Sequence, residues 1–155
     1  MATFTIGQRA TMTRVFHEED VLEYAELTGM PSSAPRDVIP GGLLGGMFSR
    51  LLGTELPGRG TNWLKQKLLF PATARAGQAI TASVEVVRVR PEKHLVNLRT
   101  VCVDAFGTIV CDGEALVMAR EMADRSGDCR AAEIASSAEG AVPSRDAPGD
   151  RSAPD

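Results

Sequence analysis

Residues 29–46, with the sequence GMPSSAPRDVIPGGLLGG, hold the groups that are best placed for chemistry. The titratable side chains of this segment are Arg36 and Asp37, and Asp37 is the one that could act as a general acid or base. The glycines behind them begin a helical pattern, and the first N–H groups of a helix have no partner within it. Because such N–H groups attract developing negative charge, the segment offers one carboxylate next to a site that could bind an oxyanion.

The glycine-rich sequence GGLLGGMFSRLLG predicts a helix over residues 41–52. Apolar pairs recur every four residues, so the helix is apolar over most of its circumference, which is typical of a buried helix. Each glycine in a helix interior costs up to ~1 kcal/mol. We therefore expect a sheet or a ligand to approach the backbone closely at Gly41, Gly42, Gly45 and Gly46.

The elements around this helix follow from shorter patterns. HEEDVLEYAELTG predicts a first helix, with acidic residues in its first turn and a stop at Gly29. TNWLKQKLLF and AITASVEV alternate as strands do, and HLVNLRTVCV and TIVCDGEALVM form a predicted hairpin around DAFG. The order is one short strand, a helix, the buried helix and an antiparallel meander. It predicts an α+β fold in which an antiparallel sheet wraps around a central helix.

The composition fits one globular domain followed by a tail. The chain has 155 residues, of which 43% are apolar and 24% charged, enough for one domain with its own core. Residues 121–155 are rich in Ala, Ser, Asp, Gly and Pro and hold too little apolar surface to offset their ordering entropy. We therefore expect a folded domain over residues 1–120 and a disordered tail over residues 121–155.

Charge and cysteine content exclude several classes of partner. A net charge of −3 argues against a nucleic-acid partner, and no apolar run approaches the ~18 residues of a membrane helix. The N-terminal segment lacks the order of a secretory signal, so we expect a cytoplasmic protein. Cys102, Cys111 and Cys129 have no metal-ligand spacing and are predicted to be free thiols. We expect neither a metal nor a cofactor.

Two motifs carry a resemblance to a known family. They are LLG-x-x-LPG-x-G over residues 51–60 and L-x-Q-x-L-x-F over residues 64–70. Together with IGQRATMTRVFHEEDVLEYAELTG upstream and DGEALVM downstream, the chain resembles the MaoC-like dehydratases and (R)-specific enoyl-CoA hydratases over nearly all of residues 6–118. The resemblance implies a single hotdog fold. It also implies a homodimer, because the family's sheets pair edge to edge across a two-fold axis.

The resemblance also implies that a catalytic dyad is missing. Family members carry Asp-x-Asn-Pro-x-His after the first helix, where the Asp and the His activate water, and a second His before the central helix. The matching positions of this chain read Met30, Pro35 and Pro40, and the segment between them is shorter than in the family. Hydration needs an acid and a base within hydrogen-bond reach. We therefore expect a hydratase scaffold without its dyad.

Several positions match the family's binding site. The N–H of Gly41 matches the group that holds the thioester carbonyl oxygen, and Gly42 and Met30 are counted with it in the predicted substrate site. Ser49 and Leu52 match positions that border the acyl chain, and Trp63 takes an aromatic position beside the pocket strand. Simpler interpretations stay open: the glycines could serve close packing, and Leu52 and Trp63 could belong to the core.

The sequence leaves three functions open. The first is an enzyme that cyclises or isomerises a bulky polyketide-like or acyl substrate in an apolar pocket, with proximity and orientation in place of proton transfer. The second is an acyl-thioester hydratase or dehydratase that uses Asp37 as its acid and base. The third is a non-catalytic subunit that pairs with an active hydratase.

Overall fold

The computed structural model describes residues 3–31 and 33–119. The predicted tail, residues 121–155, lies outside the described residues. The elements are β1 (Arg9–Val15), α1 (Glu18–Thr28), α2 (Gly41–Thr54), β2 (Thr61–Leu69), β3 (Ala79–Arg90), a short 3-10 turn (Pro91–Lys93), β4 (Leu95–Val103) and β5 (Ile109–Ala119).

One antiparallel sheet of five strands has the order β1-β3-β4-β5-β2. The predicted meander is confirmed for β3, β4 and β5, but it is wrong for β2, which pairs with β5 at the far edge. The consequence is geometric. With β1 and β2 at opposite edges, the curved sheet flanks α2 from both sides, and α2 packs against β1, β2 and β3.

The core lies between α2 and the concave face of the sheet. Phe48 and Leu51 of α2 are fully buried, and Leu44 and Leu52 are nearly so. The predicted inner face of β3, which is fully buried as well, packs into the same core; it consists of Ile80, Ala82, Val84 and Val86. The prediction of a central helix enclosed by the sheet is therefore confirmed.

Helix α1 begins and ends where its sequence indicates. The Asp20 carboxylate accepts a hydrogen bond from the backbone N–H of His17 at 2.8 Å, and Gly29 ends the helix in the left-handed conformation at φ 70°. The apolar spacing of α1 overstates its burial, because Val21 is buried but Leu27 is 87% exposed. Neither helix of the described ranges is long and apolar enough to cross a membrane.

Cys102 and Cys111 are free thiols that face each other across β4 and β5 in the buried core. Burial raises the pKa of Cys102 to about 12, and the neighbouring Cys111 adds to the shift. Burial also raises the pKa of Cys111 to about 11, with a smaller contribution from the charge of Asp112. Since the thiolate is the nucleophilic form, neither thiol is suited to attack an acyl group near neutral pH.

Candidate functional site

The N-terminus of α2 is held by a short antiparallel bridge between Val38 and Arg75. The N–H of Ile39 donates to the carbonyl of Ala74 at 2.9 Å, and the N–H of Ala76 donates to the carbonyl of Asp37 at the same distance. Pro40 follows with φ −62° and ψ 144° and stands at the N-cap. The approach to α2 is thus fixed by backbone pairing on both sides of Val38.

The first two N–H groups of α2 are unpaired within the described ranges. The N–H of Leu43 donates to the Pro40 carbonyl at 3.0 Å, whereas within the described ranges the N–H groups of Gly41 and Gly42 have no acceptor. Pro40 has no side-chain oxygen or nitrogen with which it could cap them. The positive end of the helix dipole therefore stays uncapped, and it favours a carbonyl oxygen that gains negative charge.

Two aromatic side chains lie where a side chain on residue 41 or residue 42 would begin. A Cβ on Gly41 would lie 2.5 Å from Cζ of Phe70, and a Cβ on Gly42 would lie 2.8 Å from Cζ of Tyr24, with the Tyr24 hydroxyl closer still. The close approach predicted from the glycines is therefore made by protein side chains at these two positions. A Cβ on Gly46, in contrast, would meet no atom within 4 Å. Packing with described residues does not require a glycine at Gly46.

An open groove of about 620 Å³ begins at this helix N-terminus. The described residues that line it are Gly41, Gly42, Gly45, Gly46, Ser49, Trp63, Leu68 and Phe70. None of these residues carries a titratable side chain. The groove therefore combines free backbone donors at one end with apolar and aromatic walls, a combination that suits an apolar ligand with a polar head.

A β-bulge in β2 brings Trp63 to the groove. The register with β5 shifts between Trp63 and Lys65, so Leu64 is the extra residue of the strand. Simple alternation would place Trp63 on the same face as Lys65 and opposite Leu68. Because the bulge changes the phase of the strand, Trp63 and Leu68 line the same groove. Sequence alternation alone gave no sign of this change.

A chain of hydrogen bonds holds the Trp63 ring. Its Nε1–H donates to Oε1 of Gln66 at 3.2 Å, and Nε2 of Gln66 donates to the Thr100 hydroxyl at 2.9 Å and to the Lys67 carbonyl at 2.8 Å. Thr100 is fully buried in β4. Gln66 thus connects the wall of the groove to the core of the sheet.

The structure brings together four of the predicted site residues, namely Gly41, Gly42, Ser49 and Trp63. The others lie elsewhere. Leu52 is in the core, and Met30 is 40% exposed and lines neither the groove nor a second cavity of about 280 Å³.

Asp37 also lies outside both cavities. Its carboxylate accepts a hydrogen bond from the Arg75 guanidinium, and both side chains are exposed. Within the described ranges, no three His, Cys, Asp or Glu side chains group in a way that could hold a metal ion.

A second cavity of about 280 Å³ lies on the other flank of α2. Tyr24, Met12 and Met47 contribute to its walls, and Arg14, Asp20, Glu23 and Arg50 are the charged residues that line it. Gly46 lines both this cavity and the groove.

Sequence reasoning missed Tyr24 and Phe70 as site residues. A signal existed only for Phe70, which ends the L-x-Q-x-L-x-F motif.

Known proteins share both the sequence and the architecture of this chain. An (R)-specific enoyl-CoA hydratase of Rhodospirillum rubrum is 36% identical over 124 residues, which cover 72% of this chain and 85% of the relative. The solved structure of the Aeromonas caviae (R)-hydratase involved in PHA biosynthesis has a TM-score of 0.71 at 28% identity, covering 77% of this chain and all of the other. The unliganded R-hydratase of Pseudomonas aeruginosa has a TM-score of 0.70 at 30% identity, with 77% and 84% covered. No protein-family model matches the chain.

The curved antiparallel sheet around α2 is a hotdog fold, as predicted. The chain belongs to the MaoC-like family of (R)-specific enoyl-CoA hydratases, and the family resemblance read from the sequence is confirmed.

The Gln66 bridge generates a testable prediction. Gln66→Met keeps the side-chain length but leaves the buried Thr100 hydroxyl without this partner, so the free energy of unfolding should fall by about 1–3 kcal/mol. The Trp63 ring should also move more freely. Because Trp63 is the single tryptophan of the chain, its fluorescence anisotropy reports this motion directly.

Lys65→Met is the matched control, since Lys65 is an exposed residue of the same strand that does not line the groove. Lys65→Met should change neither the free energy of unfolding nor the Trp63 anisotropy much. Unchanged anisotropy and stability in Gln66→Met would contradict the role given to Gln66.

Proposed function

We propose that this protein binds an acyl thioester at the N-terminus of α2 and cyclises or isomerises its bulky acyl part, without the Asp/His dyad of its family. One observation carries the proposal: the groove at this helix N-terminus has no titratable side chain among the described residues that line it. A site of this kind can polarise a carbonyl and shape a chain. It is poorly equipped to add or remove water, which needs a positioned acid and base.

The proposed chemistry starts from the free N–H groups of Gly41 and Gly42. Neither N–H has an acceptor within the described ranges, so both can donate to the thioester oxygen, where negative charge develops during reactions at the acyl group. The walls formed by Trp63, Leu68 and Phe70 would hold the acyl chain in one folded conformation. Orientation of two reacting groups can contribute ~7–11 kcal/mol in favourable cases. The shape of the groove and one oxyanion site would then supply the catalysis. We expect the protein to act in the cytoplasm.

Hydration or dehydration of an acyl-CoA is the second candidate function. It is favoured by the relatives, which are named (R)-specific enoyl-CoA hydratase and 3-hydroxybutyryl-CoA dehydratase. In this chain Asp37 would have to serve as the acid and base. Its pairing with Arg75 and its position outside the groove mean that the carboxylate would have to change partners when substrate binds.

We also propose that two copies pair along β2. This strand stands at an edge of the sheet, and within the described ranges nothing pairs with its outer side. Leu64 is 51% exposed and Leu69 57% exposed, so the edge presents apolar side chains to the solvent. Exposed apolar edge strands invite pairing with another strand. A second copy in antiparallel orientation would satisfy both the free backbone groups and these side chains.

The first prediction from this proposal concerns hydration. Crotonyl-CoA should not be hydrated above the uncatalysed rate, and octanoyl-CoA should bind and change the Trp63 fluorescence. Ser49→Phe should abolish that binding because it fills the groove. Gly42→Leu should abolish it because the new side chain displaces Tyr24 and crowds the free N–H groups. Asp37→Asn should bind octanoyl-CoA as the wild type does.

Gly53→Leu is the matched control for Gly42→Leu. Gly53 lies on the same helix, its Cβ position is open, and it does not line the groove. If Asp37 is instead the acid and base, crotonyl-CoA is hydrated and Asp37→Asn lowers that rate by ~10²-fold or more. Tight binding to an active hydratase without turnover of any thioester would favour the non-catalytic subunit.

The second prediction concerns assembly. Sedimentation at micromolar concentration should give a dimer, and Leu64→Glu combined with Leu69→Glu should give a monomer, because charges on the edge oppose strand pairing. Phe106→Glu is the control: Phe106 is 81% exposed in the turn between β4 and β5, away from the β2 edge. A wild-type monomer would contradict the proposed pairing.

A further inference from the structure

Tyr24 of α1 reaches the N-terminus of α2. Its hydroxyl occupies the space in which a Cβ of residue 42 would stand, and its ring carbon Cζ would be 2.8 Å from that atom. The hydroxyl therefore lies against the backbone of the second residue of α2. A side chain larger than hydrogen at position 42 would displace it.

The Tyr24 hydroxyl is available to a ligand. Within residues 3–31 and 33–119 this hydroxyl forms no hydrogen bond; the Thr28 hydroxyl donates to the backbone carbonyl of Tyr24, at 2.7 Å. The ring is half-buried and packs on one flank of α2, in the 280 Å³ cavity. A phenol that is fixed by its ring and has an unused hydroxyl can donate to an incoming oxygen.

The position of this hydroxyl relates it to the groove. Gly42, which it contacts, lines the groove and carries one of the two free N–H groups of α2. Gly46 of α2 lines both the cavity that holds Tyr24 and the groove. Phe70 covers Gly41 on the groove side, and Tyr24 lies against Gly42 on the other flank of the helix N-terminus. Of these two aromatic side chains, only Tyr24 carries a polar group.

We propose that the Tyr24 hydroxyl donates a hydrogen bond to the thioester carbonyl oxygen that the Gly41 and Gly42 N–H groups bind, and so acts as the third donor of this site. This inference rests on the proposed function, because it needs an acyl thioester at the helix N-terminus. Tyrosine hydroxyls serve as oxyanion donors next to backbone N–H groups in other enzymes. The role requires no proton transfer, only a donor that points at the oxygen as its charge increases.

The test uses octanoyl-CoA that carries ¹³C at the thioester carbonyl, bound to the full-length protein. Infrared difference spectroscopy measures the stretching frequency of that carbonyl, which falls as hydrogen bonds polarise it. The wild type should lower the frequency relative to free octanoyl-CoA. Tyr24→Phe, which keeps the ring, should reverse part of this shift and weaken binding about 2- to 12-fold, the value of one hydrogen bond.

Trp63→Phe is the control, because Trp63 lines the groove but is not proposed to contact the thioester carbonyl. This variant should change the affinity for octanoyl-CoA without changing the carbonyl stretching frequency. The thermal midpoint of Tyr24→Phe should stay close to that of the wild type. An unchanged carbonyl frequency in Tyr24→Phe would overturn this inference and leave the proposed function standing. Failure of the wild type to bind octanoyl-CoA would overturn the proposed function, and this inference with it.

Discussion

The burial of α2 against the concave face of the sheet is the constraint on which the rest of the structure depends. Phe48 and Leu51 are fully buried, and they face strands whose inner side chains are fully buried as well. A helix with so many apolar side chains cannot stand at a surface, so the sheet must curve around it. That enclosure fixes the helix axis, and with it the place where the N–H groups of Gly41 and Gly42 emerge.

The site follows from how the surrounding elements meet that fixed helix. The bridge at Val38 leads the chain into α2, β2 places Phe70 over Gly41, and α1 places Tyr24 against Gly42. The bulge at Leu64 then turns Trp63 into the groove. Each of these contacts joins segments that are distant in the chain. The result is a helix N-terminus with two free donors, an aromatic side chain on each flank and an apolar groove in front.

Much of the fold could be predicted from local patterns. The bounds of α1, the apolar circumference of α2 and the inner face of β3 each follow from side-chain period within one segment. The edge position of β2 could not be predicted in this way, because pairing with β5 depends on residues far away in sequence. The same holds for the bulge at Leu64, since the alternation of TNWLKQKLLF shows no interruption. Tyr24 was missed because its helical spacing is typical of an ordinary core residue.

Family membership and local chemistry lead to different expectations for this protein. The relatives are named for hydration and dehydration, whereas the groove of this chain lacks titratable side chains among its described residues. The two proposed reactions share one element, which is a thioester carbonyl oxygen bound at the N-terminus of α2. That shared element is the central claim, and it is independent of which reaction follows.

The most direct measurement of that claim is two-dimensional NMR of the ¹⁵N-labelled protein during titration with octanoyl-CoA. A hydrogen bond from an amide to a carbonyl oxygen moves the amide proton downfield. If the carbonyl oxygen binds at this helix N-terminus, the Gly41 and Gly42 amide protons should show saturable downfield shifts. The Leu43 amide proton should show no such shift, because it already donates to the Pro40 carbonyl. Binding of octanoyl-CoA that leaves the Gly41 and Gly42 amide protons unchanged would show that the carbonyl oxygen does not bind at the N-terminus of α2.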